Sequence, residues 1–282
     1  MQPSTKFRPS GKSTKAIEAQ ESIREATRLS ARLVYEVIRR DGNEELSRPV
    51  SSLLWSGIAG GLIISFSVVG LALFRHHLPD TSWRPLVENF GYSFGFLLVI
   101  LGRLQLFTEN TITTVIPLYH SFSLSGLGRV GRLWSVVFAA NLVGALIAAS
   151  FMAYSNVLGA PIQQTIVEIS SHLLDHAWRD TFIKAIPAGI LIAALVWILP
   201  TTNSAFLAIT AITYLISLAG FTHVIAGSVE VFYLAVTGHQ SFTDIGLGFI
   251  LPAFCGNVIG GTAIFTLMAW GQVRKEKLVK GA

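Results

Sequence analysis

His223 sits inside a long apolar run, residues 205–236, where an imidazole can donate a hydrogen bond or a proton to the anion of a weak acid. A second polar cluster, Thr108-Glu109-Asn110, interrupts another apolar run at residues 91–118. Ionisable side chains within apolar spans are rare and are functional candidates by default. A charge at the bilayer centre costs from about 3 to more than 10 kcal/mol, a cost that an acid crossing in neutral form avoids. Thr108 can hydrogen-bond His223 or gate the passage, and Leu106 and Phe107 before it can form an apolar constriction that strips water from a permeant, or simply pack between helices.

Four charged residues have a structural alternative beside the functional one. Glu109 conflicts with an anion path unless it is protonated in a dry site, paired with Arg103 or Lys184, or turned into the protein. Otherwise it reports another cargo, such as ammonium. Arg103, six residues before Glu109, suits a structural ion pair. Lys184 can draw anions into a mouth or snorkel to headgroups. Glu230, seven residues after His223 on the same helical face, can tune the histidine or bind a neighbouring helix.

Enzymatic chemistry finds little support. His172 and His176 have helical metal-ligand spacing but no third ligand nearby, and there is neither a phosphate-binding glycine loop nor a nucleophile elbow, so no metal, cofactor or enzymatic activity is expected. Cys255 is the sole cysteine, which excludes an intrachain disulfide. Of the 282 residues, 51% are hydrophobic and 13% charged, with a mean hydropathy of +0.57. Soluble domains average near 25% charged, so an ordinary soluble enzyme is excluded. A pI near 9.5 could suggest nucleic acid, but the basic residues flank apolar spans instead of covering one wet surface, so no nucleic-acid partner is expected.

The positioning elements are helices. Residues 1–48 carry 10 of the 21 Lys and Arg and lack the apolar core of a cleavable signal peptide. Within them Ile23, Ala26, Leu29, Leu33 and Val37 define an amphipathic helix over residues 16–40, ended by Asp41 and Gly42. It should lie on the cytoplasmic membrane face, cap the spans, or bind a partner helix. Six spans follow, at about residues 51–74, 91–118, 133–154, 182–199, 205–236 and 245–270, so the expected organisation is a tail over 1–48, a six-span pore domain over 49–273 and a tail over 274–282. The even count puts both termini on one side. Arg129, Arg132, Arg274, Lys275, Lys277 and Lys280 fall there too, which makes that side cytoplasmic by the positive-inside rule.

The chain also repeats itself. Phe107-Thr108 matches Phe221-Thr222 114 residues later, and Asn141-Leu142-Val143-Gly144 matches Asn257-Val258-Ile259-Gly260 after 116. Duplicating three spans reverses their direction, so the repeat is inverted. Spans two and five are over-long with midway polar clusters and read as broken helices. Broken helices at matching positions mark a substrate path at the midplane, because exposed backbone groups survive in a bilayer only in protein or beside a cavity. The expected fold is an all-α membrane protein: six transmembrane helices in an inverted 3+3 repeat with broken second and fifth helices, behind an amphipathic N-terminal helix.

At these residues the chain resembles the formate/nitrite transporter family over about residues 43–273. Gly102-Arg103-Leu104-Gln105-Leu106-Phe107-Thr108-Glu109-Asn110 is similar to the family's acidic-x-L-F-T-G-N run, with Gln105 in place of the acid and Glu109 in place of the small residue. Gly220-Phe221-Thr222-His223 resembles the segment bearing the family's pore histidine, and Gly256-Asn257-Val258-Ile259-Gly260-Gly261 its G-N-x-x-G-G run. In span four, Pro187, Ala188 and Gly189 stand where a Cys-Asn pair is usual. The FTEN and THVIAGSVE variants look like the YfdC-like branch of inner-membrane proteins. The resemblance implies an aquaporin-like arrangement in a homopentamer with one pore per protomer, set in the bacterial inner membrane. It also implies proton-linked passage of small monovalent anions such as formate or nitrite, with His223 at the centre. The remaining alternatives are a pore for another solute such as ammonium and a non-conducting scaffold.

Overall fold

The computed structural model describes residues 29–173 and 177–276. The tail before Leu29, with Ile23, Ala26, Arg24 and Arg28, lies outside them, as do His176, Lys277 and Lys280. The regular secondary structure of the described residues is helical, without strands.

Helix α1, Ala31–Ser47, starts where Ser30 caps the Leu33 N–H. It runs through Asp41 and Gly42, which were expected to end it. Gly42 is a contact point: a Cβ there would stand 1.9 Å from the Thr113 carbonyl oxygen. The stripe that packs inward is Val34, Tyr35, Ile38 and Leu46, whereas Leu29, Leu33 and Val37, the expected apolar face, stay exposed. The helix carries two apolar stripes, and the one holding Tyr35 wins because it buries against Ile112, Ile116, Val196 and Val273 and lets the Tyr35 hydroxyl donate to the Ile116 carbonyl. The burial and the approach to Glu36 raise the Tyr35 phenol above its ordinary range. Arg32 donates to the Val273 carbonyl, so α1 packs on the chain's C-terminal end and marks what is called here the termini side.

Among the described residues, four helices are long and apolar enough to cross a membrane: α2, Val50–His77; α5, Leu124–Tyr154; α7, Trp178–Thr201; and α10, Phe242–Val273. Between them lie two interrupted pairs, α3, Ser93–Leu101, with α4, Phe107–Thr113, and α8, Ala205–Leu218, with α9, Val224–Val236. Helix α2 packs along α5, and α7 along α10. Glycine permits both approaches: a Cβ on Gly61 would sit 2.0 Å from the Asn141 carbonyl, and one on Gly189 2.3 Å from that of Asn257.

One helix went unplaced by the sequence. Residues Gly159–Ser171 form amphipathic α6, burying Ile162, Ile166 and Ile169 against α9 and the far half of α2. Its three isoleucines do recur at helical spacing, but Gln, Thr and Glu between them keep the stretch from reading as a span.

Candidate functional site

The two breaks are built alike. After α3, Arg103 takes a left-handed φ of 52° and the Leu104 N–H returns to the Val99 carbonyl. After α8, Gly220 has φ 63° and the Phe221 N–H returns to Ile216. Both are helix C-terminal reversals that satisfy carbonyls otherwise orphaned in the bilayer. Glycine takes this conformation freely, whereas arginine holds it at roughly 1 kcal/mol.

An asparagine then ties each break. Asn141 Oδ1 accepts from the Phe107 N–H at 2.9 Å, while its Nδ2 donates to Gly57 and Gln105 carbonyls. Asn257 does the same for the other break, accepting from Val224 at 2.9 Å and donating to Ala185 and Thr222. Both side chains are fully buried. The Thr222 N–H is anchored by the Lys184 carbonyl, so Lys184 touches the site through its backbone.

The breaks meet at one hydrogen bond. Thr108 Oγ1 and His223 Nε2 are 2.8 Å apart, both residues almost wholly buried. His223 also caps α9, its Nδ1 accepting from the Ala226 N–H at 3.2 Å. Because Nδ1 spends its lone pair on that cap, the ring proton belongs on Nε2 and is donated to Thr108. The Thr108 hydroxyl proton is then available to a third group. Phe96 stands edge-on to the imidazole, with centroids 4.9 Å apart.

A cavity flanks this bond on each side. The termini-side cavity, about 510 Å³, has Leu106, Glu109, Asn110, Gln105 and Arg103 in its wall, together with Asp41, Glu44 and Glu45 from α1. The far cavity, about 250 Å³, has His223, Glu230, Tyr92, Arg75 and Glu88 in its wall. They lie at opposite ends of α2, whose last turn holds Arg75. Thr108 belongs to neither wall.

Several expected partners part company. Glu109 pairs with neither Arg103 nor Lys184; among the described residues it has no ion pair, and its buried Oε1 has no hydrogen-bond partner. Arg103 instead acts on Asp41, partly offsetting the burial and the nearby Glu44 that raise that carboxyl above its usual range. Phe107, grouped above with Leu106, lines neither cavity. It stacks on Phe254 at 5.2 Å and packs edge-on to Trp134 and Phe138. Glu230 is 7% exposed and, among the described residues, has no hydrogen bond or ion pair.

Other wall residues escaped the sequence reading. Glu45 reaches from α1 to accept from Gln105 Nε2 at 2.7 Å, and Gln105 Oε1 in turn accepts from Asn110 at 2.9 Å. At the far side Glu88, nearly buried, bridges Arg75 and Arg84. The i,i+4 spacing of Arg84 and Glu88 was a usable signal; Glu45 to Gln105, 60 residues apart, left none.

The chain is similar to known proteins in sequence and in fold. The sequence profile of the formate/nitrite transporter family matches residues 32–271. The inner membrane protein YfdC of Escherichia coli is 39% identical over 247 residues, 87% of this chain and 80% of that protein. The formate channel FocA of Haemophilus influenzae is 26% identical over 242 residues, 76% of this chain and 84% of that one. A pentameric formate channel solved with formate bound superposes with a TM-score of 0.69 at 21% identity, covering 80% of this chain and 97% of that one. With the profile spanning both breaks, both asparagines and His223, the chain belongs to the formate/nitrite transporter family.

Proposed function

We propose that this protein is a six-span inverted-repeat channel or secondary transporter for small monovalent anions of the formate and nitrite type, proton-linked through His223. It would sit in the bacterial inner membrane as a homopentamer with both termini cytoplasmic, its pore domain over residues 49–273 framed by two tails. The observation that carries the reading is the Thr108–His223 hydrogen bond, made where two helix breaks meet between two cavities. An anion's oxygen that reaches this bond finds the Thr108 hydroxyl proton, polarised by the Nε2–H that His223 donates to the Thr108 oxygen, in a dry site where such donors are strongest. Leu106 is the apolar constriction on the termini side, Asn110 holds the break, and Lys184 positions Thr222. Formate-bound and formate-conducting relatives supply the cargo class.

The test is flux in proteoliposomes challenged with formate, nitrite, acetate, chloride and ammonium. Anion uptake should fall to the protein-free background in His223→Ala. A second reading, an ammonium pore, is favoured by the four carboxylates against one arginine in the termini-side cavity and would show ammonium uptake that competing anions do not affect. Silence with every solute would favour the scaffold.

A further inference from the structure

Each cavity holds one carboxylate that belongs to a spanning helix and has no cationic partner: Glu109 on the termini side and Glu230 on the far side. They sit on opposite sides of the Thr108–His223 bond. Glu109 opens α4 in its first turn, and Glu230 lies two turns along α9 from His223. A structural acid in a bilayer is normally paired or hydrogen-bonded, and these are neither among the described residues. An ionised carboxylate a few ångströms from a monovalent anion in such a passage lowers its occupancy by about ten- to a hundredfold.

We propose that Glu230 and Glu109 are the specificity-determining residues of the two entrances, each admitting an anion only while its own carboxyl carries a proton. This rests on the anion-pore reading above. At the far entrance the Glu230 O–H donates to the incoming anion and its proton passes to the anion's oxygen, leaving a carboxylate on Glu230 and a neutral acid before His223. The acid crosses the Thr108–His223 bond and gives the same proton to the Glu109 carboxylate, and the anion leaves. Glu230 regains a proton from water on its own side and Glu109 loses one to the other, so one anion and one proton move together. The groups facing Glu230 across the far cavity are Tyr92 from the turn before α3, Arg75 from α2, Glu88, His172 and His223. Those lining the cavity with Glu109 are Asp41, Glu44 and Glu45 from α1 and Arg103 from the break. Arg75 is engaged by Glu88 and Glu168, and Glu45 by Gln105 and Arg48. Neither spanning carboxylate is thereby neutralised.

The experiment uses full-length protein in proteoliposomes with one orientation, set by protease access to an N-terminal tag. Initial formate rates above protein-free vesicles are read while pH is varied on one side at a time. In the wild type, entry from each side should fall several-fold per pH unit as that side is made alkaline. Glu230→Gln and Glu109→Gln each remove a carboxyl that hands the proton on, so each should cut formate flux several-fold and flatten the dependence on its own side's pH in the flux that remains. Glu230→Asp should restore the far-side dependence. Wild-type flux with Glu230→Gln and Glu109→Gln both keeping their own-side dependence would overturn the proposal and leave the pore standing, because the pore would then take neutral acid directly from solution. Dependence lost on both sides in either variant would also overturn it. Absence of wild-type formate flux would overturn the pore reading as well.

Discussion

The imidazole of His223 has two jobs that constrain each other. Its Nδ1 caps α9 and its Nε2 meets Thr108, so a second ring proton would have to displace the Ala226 cap. The neutral ring therefore serves as hydrogen-bond donor, and the Thr108 hydroxyl passes that polarisation on. Thr108→Val preserves shape and removes the hydroxyl, leaving Nε2–H without its acceptor. We expect formate flux to fall about tenfold or more, the equivalent of one lost hydrogen bond of about 1.5 kcal/mol, with folding intact by size-exclusion profile. Unchanged flux would place the permeant's contacts elsewhere. The candidates His223, Thr108 and Glu109 were readable from residue type alone, because polar groups in an apolar run are conspicuous. The failed pairing of Arg103 with Glu109 was not readable. Arg103 takes a left-handed φ that no spacing rule anticipates for arginine.

Among the elements, the breaks between α3 and α4 and between α8 and α9 matter most, since each leaves backbone groups that lipid cannot satisfy. Asn141 and Asn257 each bind one N–H and two carbonyls across such a break. Asn257→Ala strands the Val224 N–H and the Ala185 and Thr222 carbonyls, and should cost about 2–4 kcal/mol. Thermal unfolding in detergent would show it as a clear drop in midpoint, with Asn141→Ala similar. A midpoint unchanged in both would mean that water or lipid replaces the amides. The repeated Asn-x-x-Gly motif and the repeated Phe-Thr pair made the existence of both breaks legible in the chain. Helix α1 was legible as a helix, but the stripe that packs on the rest of the chain, Val34, Tyr35, Ile38 and Leu46, was not. Two apolar stripes compete there, and only the surface formed by Ile116, Val196 and Val273 selects between them.

For the whole molecule, many large apolar side chains face outward, among them Trp55, Phe151 and Leu207. Lipid and neighbouring protomers are the surroundings such a surface needs. A homopentamer predicts a protein mass of about five times 30.6 kDa by light scattering after the detergent contribution is removed. A monomeric or dimeric mass would refute the assembly while leaving the protomer's fold unaffected.

Composition and periodicity determined the membrane class, the helical architecture and the interruption at Thr222-His223, because hydrophobic length and rare polar intrusions are local properties; the break expected at Thr108-Glu109-Asn110 falls instead at residues 102–106, with Phe107–Thr113 helical. Tertiary structure decided which polar groups meet. It joined Thr108 to His223 across 115 residues, set Glu45 against Gln105, turned Phe107 into an aromatic cluster and left Glu109 and Glu230, in separate cavities, without an ion pair among the described residues. Those contacts depend on how helices pack through their glycines and on where each backbone reverses, and a pairing between distant segments leaves no periodic trace in the chain.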